Sequence, residues 1–203
     1  MSEVRICGVP EVPTFIEQFQ IKKLLSCLSH YYIVDSTYGF TQSVLNLNPN
    51  YWRDPNNWVK LNMEDTPRPD SVDAPTMEEV VKGITFGSNE IRAGQNLLVH
   101  CQLGLSRSPA MAIGSMIKAG DTIEGAFNRA KQVRPRIDPN PLIIQYIDEH
   151  LKLNGELINY NTEYRANTKK DLKREYNKLM EAYLDNPNVL GIIFENISAL
   201  DRL

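Results

Sequence analysis

Cysteine is scarce in this 203-residue chain: Cys7, Cys27 and Cys101 are the only three, and no two form a CxxC pair. That spacing excludes a disulfide framework and a cysteine-built zinc site, and neither metal nor cofactor is expected. Histidine is as rare, with His30, His100 and His150 only. No apolar run approaches the length needed to span a bilayer. The opening Met1-Ser2-Glu3-Val4-Arg5 has no apolar signal-peptide core, so a cytoplasmic protein without a membrane partner is expected. Lys and Arg total 22 against 25 Asp and Glu, a net charge of -3. No basic stripe is present to track a phosphate backbone, so nucleic acid is not expected as the main partner. Repeats and low-complexity segments are absent too, and Asn46 to Asn57 reads as a polar, Pro-containing loop.

What the chain does contain is enough apolar residue, 42%, for one globular domain plus an appendage. Short apolar strands alternate with helical patterns, which predicts an α/β fold: a central, mostly parallel sheet of about four to five strands flanked by helices. Val4 to Gly8, Tyr31 to Asp35, Trp58 to Met63 and Asn96 to His100 read as strands. Ile21, Leu24, Leu25 and Leu28 have helical spacing, as do Val80, Val81 and Ile84. Thr76 with Glu79 reads as a capping box. Ala110 to Ala119 is apolar almost all round and predicts a buried helix ending at Gly120. Asp121 and Glu124 are positioned to cap the next helix, with Ile123, Ala126, Phe127, Ala130 and Val133 facing the core. Asn140 and Pro141 open another, closing near Gly155.

One segment carries chemistry: His100-Cys101-Gln102-Leu103-Gly104-Leu105-Ser106-Arg107-Ser108 joins a predicted strand to a Pro-opened helix. Taken alone, Cys101 would read as a small core residue. With a tight loop and Arg107 at the helix mouth, its sulfur instead sits under backbone N–H groups and a positive helix terminus, an arrangement that binds phosphate. Free cysteine is mostly thiol at neutral pH, so an attacking Cys101 needs its anion stabilised by these groups. Arg107 can grip two phosphoryl oxygens with its planar fork, which Lys cannot. Ser108 can donate to the departing sulfur, and Gly104 permits the turn. His100 points to the opposite sheet face from Cys101, so it reads as a support rather than a base.

HCQLGLSRS resembles the Cys-x5-Arg signature of the protein tyrosine phosphatase superfamily, in its dual-specificity-like branch. Arg134-Pro135-Arg136 and Asp138-Pro139-Asn140-Pro141 resemble the stretch that follows the signature in small bacterial and phage-type members. The resemblance spans about residues 1–155 and implies that fold, with a helical extension over 156–203. It also implies a metal-independent hydrolase acting through a phosphocysteine intermediate on a phosphorylated protein or peptide. Cys101 would be the nucleophile, with Gln102, Leu103, Gly104, Leu105, Ser106 and Arg107 binding phosphate.

A general acid is needed for the leaving oxygen, and Asp65, Asp70 and Asp73 stand upstream. If strands 58–63 and 96–100 run parallel, Asp65 lies just past the same rim as Cys101. The acidic pair Glu64-Asp65 also resembles the family's general-acid loop. Asp70, on a Pro-flanked loop, is the second choice; Asp73 is better placed as a helix cap.

Other chemistries fit less well. A Cys–His hydrolase lacks a well-placed histidine. A rhodanese-like sulfurtransferase does not need the Arg-Ser pair or the upstream acid, and a non-catalytic phosphate-binding module would not need Cys101. Without lysine at Gln102, Leu103 or Leu105, a phosphoinositide headgroup is disfavoured; an RNA 5′ end is an alternative substrate. Cys7 and Cys27 read as core residues, the alternative being a disulfide with an oxidised Cys101. Tyr51, Trp52 and Trp58 read as core aromatics rather than an entrance. Thr168 and Asp171 predict a helix start, with an apolar stripe of Leu172, Tyr176, Leu179, Met180 and Tyr183. Lys169, Lys170, Lys173, Arg174 and Lys178 add local positive charge with which a substrate could dock. Oligomeric state has no sequence signature here.

Overall fold

The computed structural model describes residues 3–29 and 40–185. The chain divides into two units, Met1–Ile158 and Asn159–Leu203. The first holds a four-stranded sheet in the order β1-β4-β2-β3, with every pairing parallel. The strands are β1 (Val4–Gly8), β2 (Lys23–Leu28), β3 (Trp58–Asn62) and β4 (Leu97–Cys101). Around them run α1 (Val12–Gln18), α2 (Phe40–Leu47), α3 (Pro49–Trp52), α4 (Met77–Arg92), α5 (Arg107–Ala119), α6 (Ile123–Val133) and α7 (Pro141–Leu151). Because all strands are parallel, Gly8, Leu28, Asn62 and Cys101 end on one rim of the sheet, where active groups collect in such folds.

β2 corrects the sequence reading. Its spacing at Leu24, Leu25 and Leu28 suggested a helix, yet Leu24 through Leu28 are all buried in the middle of the sheet. A parallel strand covered on both faces is a continuous apolar run, so a helical period inside it is coincidence. The predicted strand at Tyr31 to Asp35 lies outside the described residues. The polar stretch from Asn46 is not simply a loop either: it holds the end of α2 and all of α3, which Asn48 opens by accepting the Tyr51 N–H at 3.2 Å.

Caps place the remaining helices. Thr76 accepts the Glu79 N–H at 3.2 Å to start α4. Glu79 does not close the box onto Thr76's backbone; its Oε1 accepts the Asn62 N–H at 2.7 Å and ties α4 to the end of β3. For α6 the cap is Thr122, not Asp121 or Glu124, since Asp121 pairs with Arg129 at 2.6 Å. α5 is buried from Arg107 to Met116 and stops at Gly120, as a central helix that is apolar almost all round from Ala110 should; each large side chain such as Met111 or Ile113 contributes about 1.5–3 kcal/mol by leaving water. Asn140 accepts from the N–H groups of Leu142 and Ile143 to open α7, which ends at Leu151 rather than near Gly155.

The last helix, α8, runs Glu156–Asp185. It starts well before the predicted Thr168, because buried Asp148 accepts the Gly155, Leu157 and Ile158 N–H groups and so satisfies the first-turn donors a helix otherwise leaves bare. Lys169, Lys170, Lys173 and Arg174 are exposed on it and Leu172 is half-buried. The side chains of Tyr176, Lys178, Leu179, Met180 and Tyr183 lie outside the described residues. Among the described residues, no helix is long and apolar enough to cross a membrane.

Candidate active site

Cys101 closes β4 and is 2% exposed. Its Sγ accepts two hydrogen bonds, from the Gly104 N–H at 3.3 Å and the Ser108 hydroxyl at 3.2 Å. The chain between them curls tightly. Gly104 has φ +74°, and a Cβ there would lie 2.5 Å from the Cys7 carbonyl carbon, so both the turn and the close approach to β1 require glycine.

The direction of the loop's peptide groups follows from where its carbonyls go. The Gln102 carbonyl accepts the Val9 N–H at 3.1 Å, that of Leu105 the Asp138 N–H at 2.7 Å, and that of Ser106 the Asn140 N–H at 3.3 Å. The Leu103 carbonyl accepts Arg134 Nη2 at 2.9 Å. In a planar trans peptide the C=O and the following N–H point oppositely. The amides of Leu103, Gly104, Ser106 and Arg107 therefore turn away from those partners, and Gly104 donating to Sγ shows that they turn toward the sulfur. The result is a cluster of inward donors above a thiol. The opening of α5 adds to it, because Ser106, its N-cap, makes no side-chain cap bond and leaves the first-turn amides available to an anion.

Arg107 is buried, with Nη1 donating to the Met63 carbonyl at 2.8 Å and Nε lacking a partner among the described residues. A buried guanidinium donor left unpaired is costly, and an oxyanion over the loop would satisfy it. Arg134 braces the other side. Its Nη1 sits 2.9 and 3.0 Å from the two Glu11 carboxylate oxygens, while Glu11 Oε2 also accepts the Gly8 N–H at 2.7 Å.

Asp65 lies beside this loop. Its Oδ1 accepts the Ser106 hydroxyl at 2.7 Å and Asn140 Nδ2 at 2.8 Å, and the residue is exposed to solvent. Thus Ser106, expected only to bind phosphate, also holds the carboxylate. Asp70 is exposed on the same 64–73 loop and has no hydrogen bond or ion pair among the described residues. Asp73 does not cap α4: its Oδ1 takes Asn62 Nδ2 at 3.3 Å and its carbonyl takes the Glu64 N–H at 2.7 Å, closing the loop's base.

His100 is fully buried beneath the site. Trp58 Nε1, which can only donate, bonds Ser26 Oγ at 2.7 Å, and that hydroxyl lies 2.5 Å from His100 Nε2. The Ser26 hydrogen therefore goes to Nε2, and the ring hydrogen is assigned to Nδ1. Phe40 packs on the ring with centroids 4.9 Å apart. Burial drives the His100 pKa down to about 3, so the ring is neutral, and through the Ser26 hydroxyl it ties β4 to β2. Burial also pushes the Cys7 and Cys27 thiols well above the ordinary thiol range. All three cysteines are free. Trp52 and Trp58 are buried core residues, and Tyr51 packs against the same cluster.

Sequence reasoning missed Glu11 and the bracing role of Arg134, which are 123 residues apart and share no local spacing. It noticed Asn140 only as a helix opener. The Pro-Asn-Pro stretch was the signal that could have pointed to a second duty, since its amide reaches back to Asp65.

No family model matches the chain. The chain is 30% identical over 115 residues to a tyrosine phosphatase, 123R, of Invertebrate iridescent virus 6, across 55% of this chain and 75% of that protein. It is 32% identical over 87 residues to the tyrosine-protein phosphatase vhp-1 of Caenorhabditis elegans, across 39% of this chain but 13% of that much longer protein. The backbone is similar to the Cydia pomonella PTP-2 phosphatase, with a TM-score of 0.53 and 15% identity over 73% of this chain and 86% of that one. Human DUSP28 is similar at a TM-score of 0.51, with 17% identity over 72% of this chain and 86% of that one.

Proposed function

Since the chain belongs to the protein tyrosine phosphatase superfamily, we propose that residues 1–155 form a dual-specificity-like phosphatase domain acting on phosphorylated proteins or peptides, and that residues 156–203 form a C-terminal extension whose described part, to residue 185, is helical. The reaction is hydrolysis of a phosphomonoester, phosphotyrosine first and phosphoserine or phosphothreonine second.

The Cys101 sulfur attacks phosphorus and the ester P–O bond breaks. Asp65 gives its proton to the departing oxygen. The inward amides and Arg107 hold the three equatorial oxygens as charge builds on them. Asp65, now a carboxylate, takes a proton from water, whose oxygen attacks phosphorus and breaks the S–P bond. The Ser108 hydroxyl stabilises the sulfur as it leaves. The steps use backbone amides, side chains and water. One observation carries the reading: a sulfur that accepts two hydrogen bonds in a loop whose carbonyls are drawn outward by Val9, Arg134, Asp138 and Asn140. A thiol-dependent enzyme with three free cysteines fits a reducing compartment, and we place its work in the cytoplasm.

The test is phosphate release measured side by side from a phosphotyrosine peptide, a phosphoserine peptide, a phosphoinositide and an RNA 5′-triphosphate. Fastest turnover of the phosphotyrosine peptide, abolished in Cys101→Ser while that variant still binds the peptide, supports the proposal. Preference for the lipid or the RNA would move the substrate class. Consumption of thiosulfate with no phosphate release would replace the enzyme class with a sulfurtransferase.

A further inference from the structure

Nearly every large apolar side chain of the described residues is shielded from water; two stand out. Val72 is 86% exposed and Leu103 is 48% exposed. An isolated surface apolar residue needs no explanation, but these two sit on the two segments that carry the candidate nucleophile and acid. Leu103 is two residues past Cys101 in the phosphate loop. Val72 lies on the 64–73 loop, whose other end holds Asp65.

Both backbones are pinned, so neither side chain is left outside for want of order. Leu103 is fixed by Arg134 on its carbonyl at 2.9 Å. The 64–73 loop is closed at its base by the Glu64 N–H on the Asp73 carbonyl at 2.7 Å, and across its middle by the Thr66 and Ser71 hydroxyls at 3.2 Å. Its turn continues with the Ser71 N–H on the Arg68 carbonyl at 3.3 Å and the Ala74 N–H on the Ser71 carbonyl at 3.2 Å. The loop thus presents Val72 rather than folding it in.

Resting on the phosphatase reading above, we propose that Leu103 and Val72 are specificity-determining residues that contact apolar side chains flanking the phosphorylated residue of a peptide substrate. A polyanionic headgroup or an RNA 5′ end would gain nothing from two exposed aliphatic groups. A peptide with apolar side chains close to its phosphorylated residue gains contact with both.

The experiment measures kcat/KM on p-nitrophenyl phosphate and on matched phosphotyrosine peptides with leucine or serine at the flanking positions, for the wild type, Val72→Ser and Leu103→Ser. The wild type should favour the leucine peptide by about tenfold, the low end for apolar contacts that discriminate between substrates. Val72→Ser should lose a large part of that preference with its rate on p-nitrophenyl phosphate unchanged, and Leu103→Ser should narrow the ratio between the two peptides. Equal rates on the two peptides, or a preference that survives both substitutions, would overturn the inference while activity on p-nitrophenyl phosphate keeps the phosphatase reading intact. Absence of activity on every substrate would instead bring down that reading and this inference with it. Faster turnover of phosphoinositide vesicles or RNA 5′-triphosphate than of the leucine peptide would also overturn it.

Discussion

Replacing Arg134 with Met removes the brace on the phosphate loop while keeping an apolar stem of similar length. Three contacts disappear: one to the Leu103 carbonyl at 2.9 Å and two to the Glu11 carboxylate at 2.9 and 3.0 Å. The ion pair is weak, because the Arg134 and Glu11 side chains are 26% and 38% exposed and such pairs contribute about 0–1 kcal/mol. The charged bond to the carbonyl contributes more, about 1.5 kcal/mol at the low end for hydrogen bonds to charged groups. Together these predict a loss of about 2 kcal/mol, or about 4–8 °C in Tm for a chain of this size.

The catalytic effect should exceed what that loss of stability implies. With its carbonyl released, the Leu103–Gly104 peptide is free to turn and take the Gly104 N–H away from Sγ. Loss of one donor aimed at developing charge costs about 10²-fold in kcat. Arg134→Lys, which can keep one contact but not the fork, should fall between. Glu11→Gln, which still accepts the Gly8 N–H, should change kcat little. The assay is steady-state hydrolysis of p-nitrophenyl phosphate at a temperature where the melting curve shows each variant folded. A kcat for Arg134→Met within about twofold of wild type, with Tm lowered as expected, would refute the argument that outward-drawn carbonyls build the cradle.

Asp65→Asn should lower turnover by about 10²-fold or more and flatten the basic limb of the pH–rate curve, while Asp70→Asn should match wild type; the reverse pattern would transfer the acid role to Asp70. Gly104→Ala should cost several kcal/mol in a denaturant melt and abolish turnover, since a positive φ for alanine costs about 1–2 kcal/mol and its Cβ would meet the Cys7 backbone at 2.5 Å. His100 makes stability pH-dependent. Its folded pKa of about 3 lies below the ordinary 6.5, so the unfolded chain takes up a proton that the folded chain refuses, and stability falls as pH drops from 6.5 toward 3. The slope is at most about 1.4 kcal/mol per pH unit. Denaturant melts of wild type and His100→Asn between pH 6.5 and 5 should show the wild type losing stability faster; parallel curves would contradict the assignment.

The parts of this molecule that depend on short-range pattern were legible in the sequence. β1, β3, the buried α5 and the loop between Cys101 and Arg107 all follow from residues within a few positions of each other. β2 was misread because a central parallel strand is apolar on both faces and its period carries no information. Thr122 was overlooked as a cap because Asp121 beside it is an equally good candidate until Arg129 claims it. The residues that shape the loop from outside, Val9, Glu11, Arg134, Asp138 and Asn140, are distant from it in sequence and meet it only in the folded chain. The place of Asp65 beside the loop was legible because parallel strand directions put it on the rim of Cys101. Its two partners, Ser106 and Asn140, came into view only with the fold.

The proposed reaction requires a covalent bond between phosphorus and the Cys101 sulfur. Mixing the enzyme with excess phosphotyrosine peptide, quenching in acid within the first turnover and mapping the digest by mass spectrometry should find phosphate on the peptide containing Cys101, and none there in Cys101→Ser. Turnover that persists in Cys101→Ser, or phosphate carried by any other residue, would contradict it.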